Sequence, residues 1–203
     1  MSTTTPDTPA ARDPRFEGVR LVLAMLALMW VVEIIDQIDN NRLESHGIRP
    51  HHLAGLQGIV FAPFLHAGWD HLISNTVPFL LLGATIALSG AARVLTVTVI
   101  VAVVGGLGVW LVAPSNSLHI GASGLVFGFA FYLISRGLFE RSLVHLGVGA
   151  AVAAVYGGAL LSSLAPRDGI SWQGHLFGGI GGVLAAWLLA ERDAKPAASQ
   201  AAT

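Results

Sequence analysis

The sequence predicts an all-α polytopic membrane protein of six transmembrane helices with both termini cytoplasmic, and three observations carry that expectation. Of its 203 residues, 54% are hydrophobic and 11% charged, where soluble domains average about 45–50% and about 25%. Apolar stretches long enough to cross a bilayer recur six times. The basic residues bracket those stretches unevenly. A net charge of -1 excludes the basic face that nucleic-acid binding needs. With no cysteine, disulfides, thiolate metal sites and cysteine nucleophiles are all excluded.

Residues 1–16 are polar, contain Pro6, Pro9 and Pro14, and lack the apolar core of a signal peptide, so they read as a disordered cytoplasmic tail. Residues 17–191 form the membrane domain and 192–203 a short cytoplasmic tail. A hydrocarbon core of about 30 Å needs roughly 20 helical residues. The stretches that meet this are Gly18–Ile38, His71–Leu88, Val94–Val112, Ser123–Ser135, Leu143–Leu164 and Trp172–Ala190, the fourth being short. In a six-span arrangement Arg12, Arg15, Arg20, Arg93, Arg136, Arg141, Arg192 and Lys195 share one side, leaving Arg42, Arg49 and Arg167 on the other. Lys and Arg near span ends stay cytoplasmic, which sets the orientation. The connections 39–70, 113–122 and 165–171 then lie outside, and the chain is expected in the plasma membrane.

Polar groups inside a span are costly and mark candidate sites. His71 and Asn75 stand four residues apart, on one face of the second span. The fourth span opens on Gly121-Ala122-Ser123-Gly124, after a loop from Ala113 to Ile120 that has no Asp, Glu, Lys or Arg and can dip into the membrane. Ser123 lies 13 residues from Arg136, about 20 Å of helix, so it sits roughly 10 Å below the outer edge of the core. Irregular backbone at that depth must line a watery cavity or be buried in protein. The sixth span carries His175, 16 residues or about 24 Å from Glu191, at a matching height. Gly124 and Gly128 on one span, and Gly178 and Gly182 on the other, have the spacing that lets helix backbones approach closely in lipid.

A serine hydroxyl becomes nucleophilic when a neutral imidazole takes its proton. Ser123 and His175 supply such a pair, with no Asp or Glu in the fourth or sixth spans, so a dyad oriented by packing is expected. Phe127, one turn after Ser123, is the candidate stacking surface. His71, Asn75 and the Ser123 backbone N–H are candidate donors to a developing oxyanion. This is acyl-transfer chemistry, peptide hydrolysis with water entering from outside. It is not the soluble hydrolase elbow, whose G-x-S-x-G would need glycine at Leu125.

With G-A-S-G at 121–124, H-x-x-x-N at 71–75 and H-x-x-G-x-x-x-G from His175, the chain resembles the rhomboid family of intramembrane serine proteases. The resemblance covers most of the chain, with the motifs in the family's order on the second, fourth and sixth spans and His66 five residues before His71. It implies a rhomboid-like six-helix bundle. By position Ser123 resembles the nucleophile, His175 the base, His71 and Asn75 the oxyanion stabilisers, Gly121 the glycine of the active-site turn and Phe127 the aromatic on the base. It implies no cofactor or metal, and as partners membrane lipid and substrates with a single transmembrane helix, cut near the outer face. One departure is that residues 39–67 lack the Trp of a Trp-Arg pair common in the family's first loop.

Competing readings follow from the same residues. Alone, Ser123 would more often be a small packing residue, and Gly178 and Gly182 are read as packing only. His46, His51, His52, His66 and His71 cluster around the first loop, yet no carboxylate or cysteine spacing completes a metal set. His66 is expected to bond backbone in the first loop and His145 to be interfacial or core. Glu33 and Asp36 are expected to approach the interface. His119, four residues before Ser123, rivals His175 as base but sits in the dipping loop without a partner to fix it. A proton-relay transporter or a non-catalytic helix-binding relative are the alternatives. The first would not need serine beside glycine at a helix start, and the second would be expected to have lost Ser123 or His175.

Overall fold

The computed structural model describes residues 13–166 and 169–193. Seven α-helices occur in them: α1 Pro14–Ile38, α2 Gly58–Phe61, α3 Trp69–Ala87, α4 Ala91–Val112, α5 Ser123–Glu140, α6 Leu143–Ser162 and α7 Trp172–Asp193. Short 3₁₀ turns at Leu43–His46, Leu53–Gln57 and Ala62–Phe64 fill the first loop. No strand is found among the described residues; Ile48 and His119 form an isolated bridge. Four helices, α1, α4, α6 and α7, are long and apolar enough to cross a membrane. Polar residues lower the hydropathy of the other two long helices, among them Asp70, His71 and Asn75 on α3 and Arg136 and Glu140 on α5.

Two expectations need correction at the helix ends. Pro14–Phe16, assigned to the tail, already belong to α1: Pro14 presets the first helical φ, and the Asp13 carboxylate accepts the Arg15 N–H at 2.9 Å. Residues 1–12, Arg167 and residues 194–203, including Lys195, lie outside the described residues. The fourth span does not stop at Ser135. α5 has 18 residues and ends where Arg141 turns left-handed (φ 53°). Arg136 is buried within it, where Glu140 one turn on accepts its Nε–H at 2.7 Å and Ser89 accepts from its guanidinium at 2.8 Å. His145 on α6 closes the group with Glu140 at 2.5 Å.

α5 is the central element, packed against α3, α4, α6 and α7. Phe79, Phe129, Tyr132, Leu72 and Leu82 fill the core around it, with the Phe79 and Phe129 rings 5.5 Å apart. The glycine pairs act as their spacing predicts. A Cβ on Gly178 would collide with the Gly124 carbonyl, and one on Gly182 with the Gly128 carbonyl. The helices carrying Ser123 and His175 therefore touch backbone to backbone. Large apolar side chains such as Leu23, Val31 and Ile35 on α1 face outward, as a lipid-facing surface requires.

The first loop is held without a tryptophan of its own. Trp110, on α4, donates its indole N–H to the His52 carbonyl at 2.9 Å, and the His51 ring bonds the Leu111 carbonyl at 3.1 Å.

Candidate active site

The turn that presents Ser123 is fixed from two directions. Gly121 has φ +113°, a region that L side chains rarely adopt, and a Cβ there would lie 2.6 Å from His71 Nε2. Its N–H donates to the Ala62 carbonyl at 2.8 Å, and the next N–H, of Ala122, donates to His66 Nε2 at 3.3 Å. Ser123 is thus the first residue of α5, where the N–H groups of the opening turn lack intrahelical acceptors. His66 bonds backbone as expected, and its Nε2 does so at the serine turn. Burial, reinforced by neighbouring His71 and opposed by the Phe64 carbonyl, holds its imidazole at about 4, so it stays neutral.

On α3, which starts after Gly68 at φ +89°, Asn75 donates one amide N–H to the His71 carbonyl at 2.9 Å. The Ala67 N–H donates to His71 Nδ1 at 3.2 Å. Nδ1 is therefore the unprotonated nitrogen and Nε2, facing Gly121, carries the hydrogen. His71 is a donor on the side of the serine turn.

His175, in the first turns of α7, is 6% exposed. Phe127 stacks on it, ring centroids 4.1 Å apart and planes within 2°. Its Nδ1 lies 2.9 Å from the Ser163 carbonyl. A carbonyl only accepts, so Nδ1 bears the proton and Nε2 is left as a base. Sequence reasoning found the stacking ring but missed this carbonyl, since a backbone acceptor has no signature in residue type.

Ser123, His175, His71, Asn75 and Phe127 line one cavity of about 620 Å³, together with Glu44 of the first loop. His175 also borders an apolar cavity of about 440 Å³ with Phe131, Leu176 and Trp187. The imidazole is a wall between a polar space and an apolar one. Burial first, then the carboxylates of Asp36 and Glu33, raise the Glu44 carboxyl above its ordinary value. Glu33 and Asp36 are each 1% exposed, bonded to Gln37 at 2.8 Å and to the Leu43 N–H at 2.7 Å respectively.

His119 is also unlike its expectation. Far from unfixed, it bonds the Ser117 hydroxyl at 2.8 Å through Nε2 and the Ser171 hydroxyl at 2.6 Å through Nδ1. Both nitrogens being engaged, it is a poorer base than His175. Of the histidines around the first loop, the His66 and His71 rings meet edge-on at 5.1 Å, and no group of three or more His, Asp and Glu able to hold a metal ion occurs among the described residues.

The Rhomboid domain model matches residues 54–192. An uncharacterised protein of Mycobacterium tuberculosis is 44% identical across 94% of this chain and 83% of its own length. One from Mycobacterium leprae is 43% identical across 94% and 79%. A Bacillus subtilis protein, provisionally named rhomboid protease YdcA, is 33% identical across 63% of this chain and 64% of its own. A match of that extent, on a helical frame with four helices long and apolar enough to cross a membrane, makes this a multi-pass membrane protein that belongs to the rhomboid family.

Proposed function

We propose that the chain is an intramembrane serine endopeptidase acting through a Ser123/His175 dyad. The observation that carries this reading is the state of His175: stacked on Phe127, bonded through Nδ1 to the Ser163 carbonyl, and lining the cavity that Ser123 lines. His175 Nε2 takes the Ser123 proton as the oxygen attacks a peptide carbonyl. The tetrahedral oxyanion is met by the His71 Nε2–H, the second Asn75 amide N–H and the free N–H groups opening α5. His175 then returns the proton to the leaving amine, and water repeats the sequence on the acyl-enzyme. No carboxylate orients the imidazole, a role given to a carbonyl and a ring.

In this reading α3 and α5 complete a six-span bundle with both termini cytoplasmic, in the plasma membrane. Substrates are single-span membrane proteins cut in or near the transmembrane segment. The test is purified protein in detergent or liposomes with a transmembrane model substrate and a fluorophosphonate probe. Parent protein cleaves and is labelled, whereas Ser123→Ala and His175→Ala do not cleave and Ser123→Ala is not labelled. Cleavage that survives Ser123→Ala removes the mechanism.

A further inference from the structure

His119 stands outside the chemistry just described, yet it joins the two segments that supply it. Ser117 Oγ is 2.5 Å from the Pro114 carbonyl, to which it can only donate. Ser117 therefore accepts from His119, and the hydrogen on that ring sits on Nε2. Nδ1 is left as an acceptor for the Ser171 hydroxyl at 2.6 Å. Ser171 Oγ in turn accepts the Gly174 N–H at 3.2 Å, and the Ser171 carbonyl accepts the His175 N–H at 3.1 Å. The bonds run in one direction, from the first turn of α7 through the imidazole to the loop before α5. The other end of that loop is pinned by paired backbone bonds between His119 and Ile48, at 2.9 and 3.0 Å.

The glycine contacts between α5 and α7 fix how close the helix axes lie, but a smooth glycine stripe resists sliding along the axis weakly. Directional hydrogen bonds resist it. We propose that His119 is a positioning residue, which sets the axial register of Ser123 against His175 by clamping the loop before α5 to the first turn of α7 through Ser171. The inference rests on the Ser123/His175 reading and adds to it a residue that acts through the placement of those two, although it also lines their cavity.

Steady-state cleavage of a transmembrane model substrate tests the clamp in His119→Ala, His119→Asn, His119→Gln, Ser171→Ala and the double variant His119→Ala with Ser171→Ala. A misplacement of about 1 Å costs on the order of 100-fold in rate, so the two alanine variants should lose about 10- to 100-fold in kcat with KM little changed. The double variant should be no slower than the worse single one. Asn puts an oxygen where Nδ1 accepts from Ser171, so it should restore most of the rate. Gln puts its amide at the Nε2 end, so it should not. Parent kcat in His119→Ala, additive losses in the double variant, or Gln matching Asn would each overturn the clamp. Should His119→Ala fail to fold, the Asn and Gln pair decides alone. Ser123→Ala run alongside separates the two ideas: if it is inert while the clamp criteria fail, only the clamp is wrong, and if it cleaves, the dyad itself is wrong.

Discussion

α7 and α6 flank the same cavity, but α7 is buried along much more of its length than α6. α7 meets α5 through glycines whose missing Cβ atoms are replaced by carbonyls of the facing helix. α6 buries only Gly149 and Leu160 along 20 residues, and Gly147, Gly157 and Gly158 have nothing within 4 Å. Val155 and Leu161 face outward. Each helix nonetheless contributes to one imidazole: α7 carries it, and the end of α6 supplies the carbonyl that sets its protonation. In the proposed reading, the two groups whose separation controls the chemistry sit on the pair of helices in backbone contact through Gly124, Gly128, Gly178 and Gly182. α6 also meets α5 through glycine, Gly137 against the Leu146 backbone and Gly149 against the Ile134 backbone, but nothing lies within 4 Å of the Cβ positions at Gly157 and Gly158.

The most direct way to break this contrast is Gly182→Leu. Its side chain would have to displace the Gly128 carbonyl or the whole of α7, and overpacking against backbone has no rotamer that relieves it. We expect a loss of about 3 kcal/mol or more, seen as a collapsed thermal midpoint in detergent and no labelling by a serine probe. A variant with parent stability would mean that α5 and α7 are not in backbone contact.

Acid is a gentler way to loosen the tight side, because it acts on the turn that presents Ser123. His66 titrates at about 4 in the folded protein against an ordinary 6.5. The folded state therefore resists protonation, and its advantage is complete above pH 6.5 and lost as pH falls towards 4. The difference is worth about 3 kcal/mol. Thermal midpoints measured from pH 7.5 to 4 should fall through that window in the parent and fall less in His66→Gln, whatever its baseline stability. Parallel profiles would remove His66 as the cause. His119, also lowered by burial, adds to the decline in both proteins and cancels in the comparison.

What the sequence revealed and what it hid divide along the same line. That Phe127 would meet His175, that Ser123 and His175 would share a cavity and that the glycine pairs would bring their helices together was legible from helical spacing within each element, and spacing survives in one dimension. The Ser163 carbonyl, the Ser171 hydroxyl beneath His119, the His66 bond to Ala122 and the Trp110 bond to the first loop all join segments distant in the chain. A carbonyl or a surface-type serine has no residue-level mark. The length of α5 was misread for a related reason: Arg136 looks like the end of the helix until Glu140, one turn on, is seen to bond it.

The smallest effect should come from the loose side, at Gly157. Nothing lies within 4 Å of where its Cβ would be, so Gly157→Ala creates no collision and leaves the cavity lining untouched. Glycine in a helix interior is about 0.5–1 kcal/mol less favourable than alanine, because the unfolded chain loses more freedom on ordering. The midpoint should therefore rise slightly and cleavage stay at the parent rate. The same change at Gly149, where a Cβ would press on the Ile134 backbone at about 3 Å, should lower it. If Gly157→Ala instead destabilises, α6 has a neighbour on its outer face, and the contrast between the two helices belongs to a single chain rather than to the protein at work.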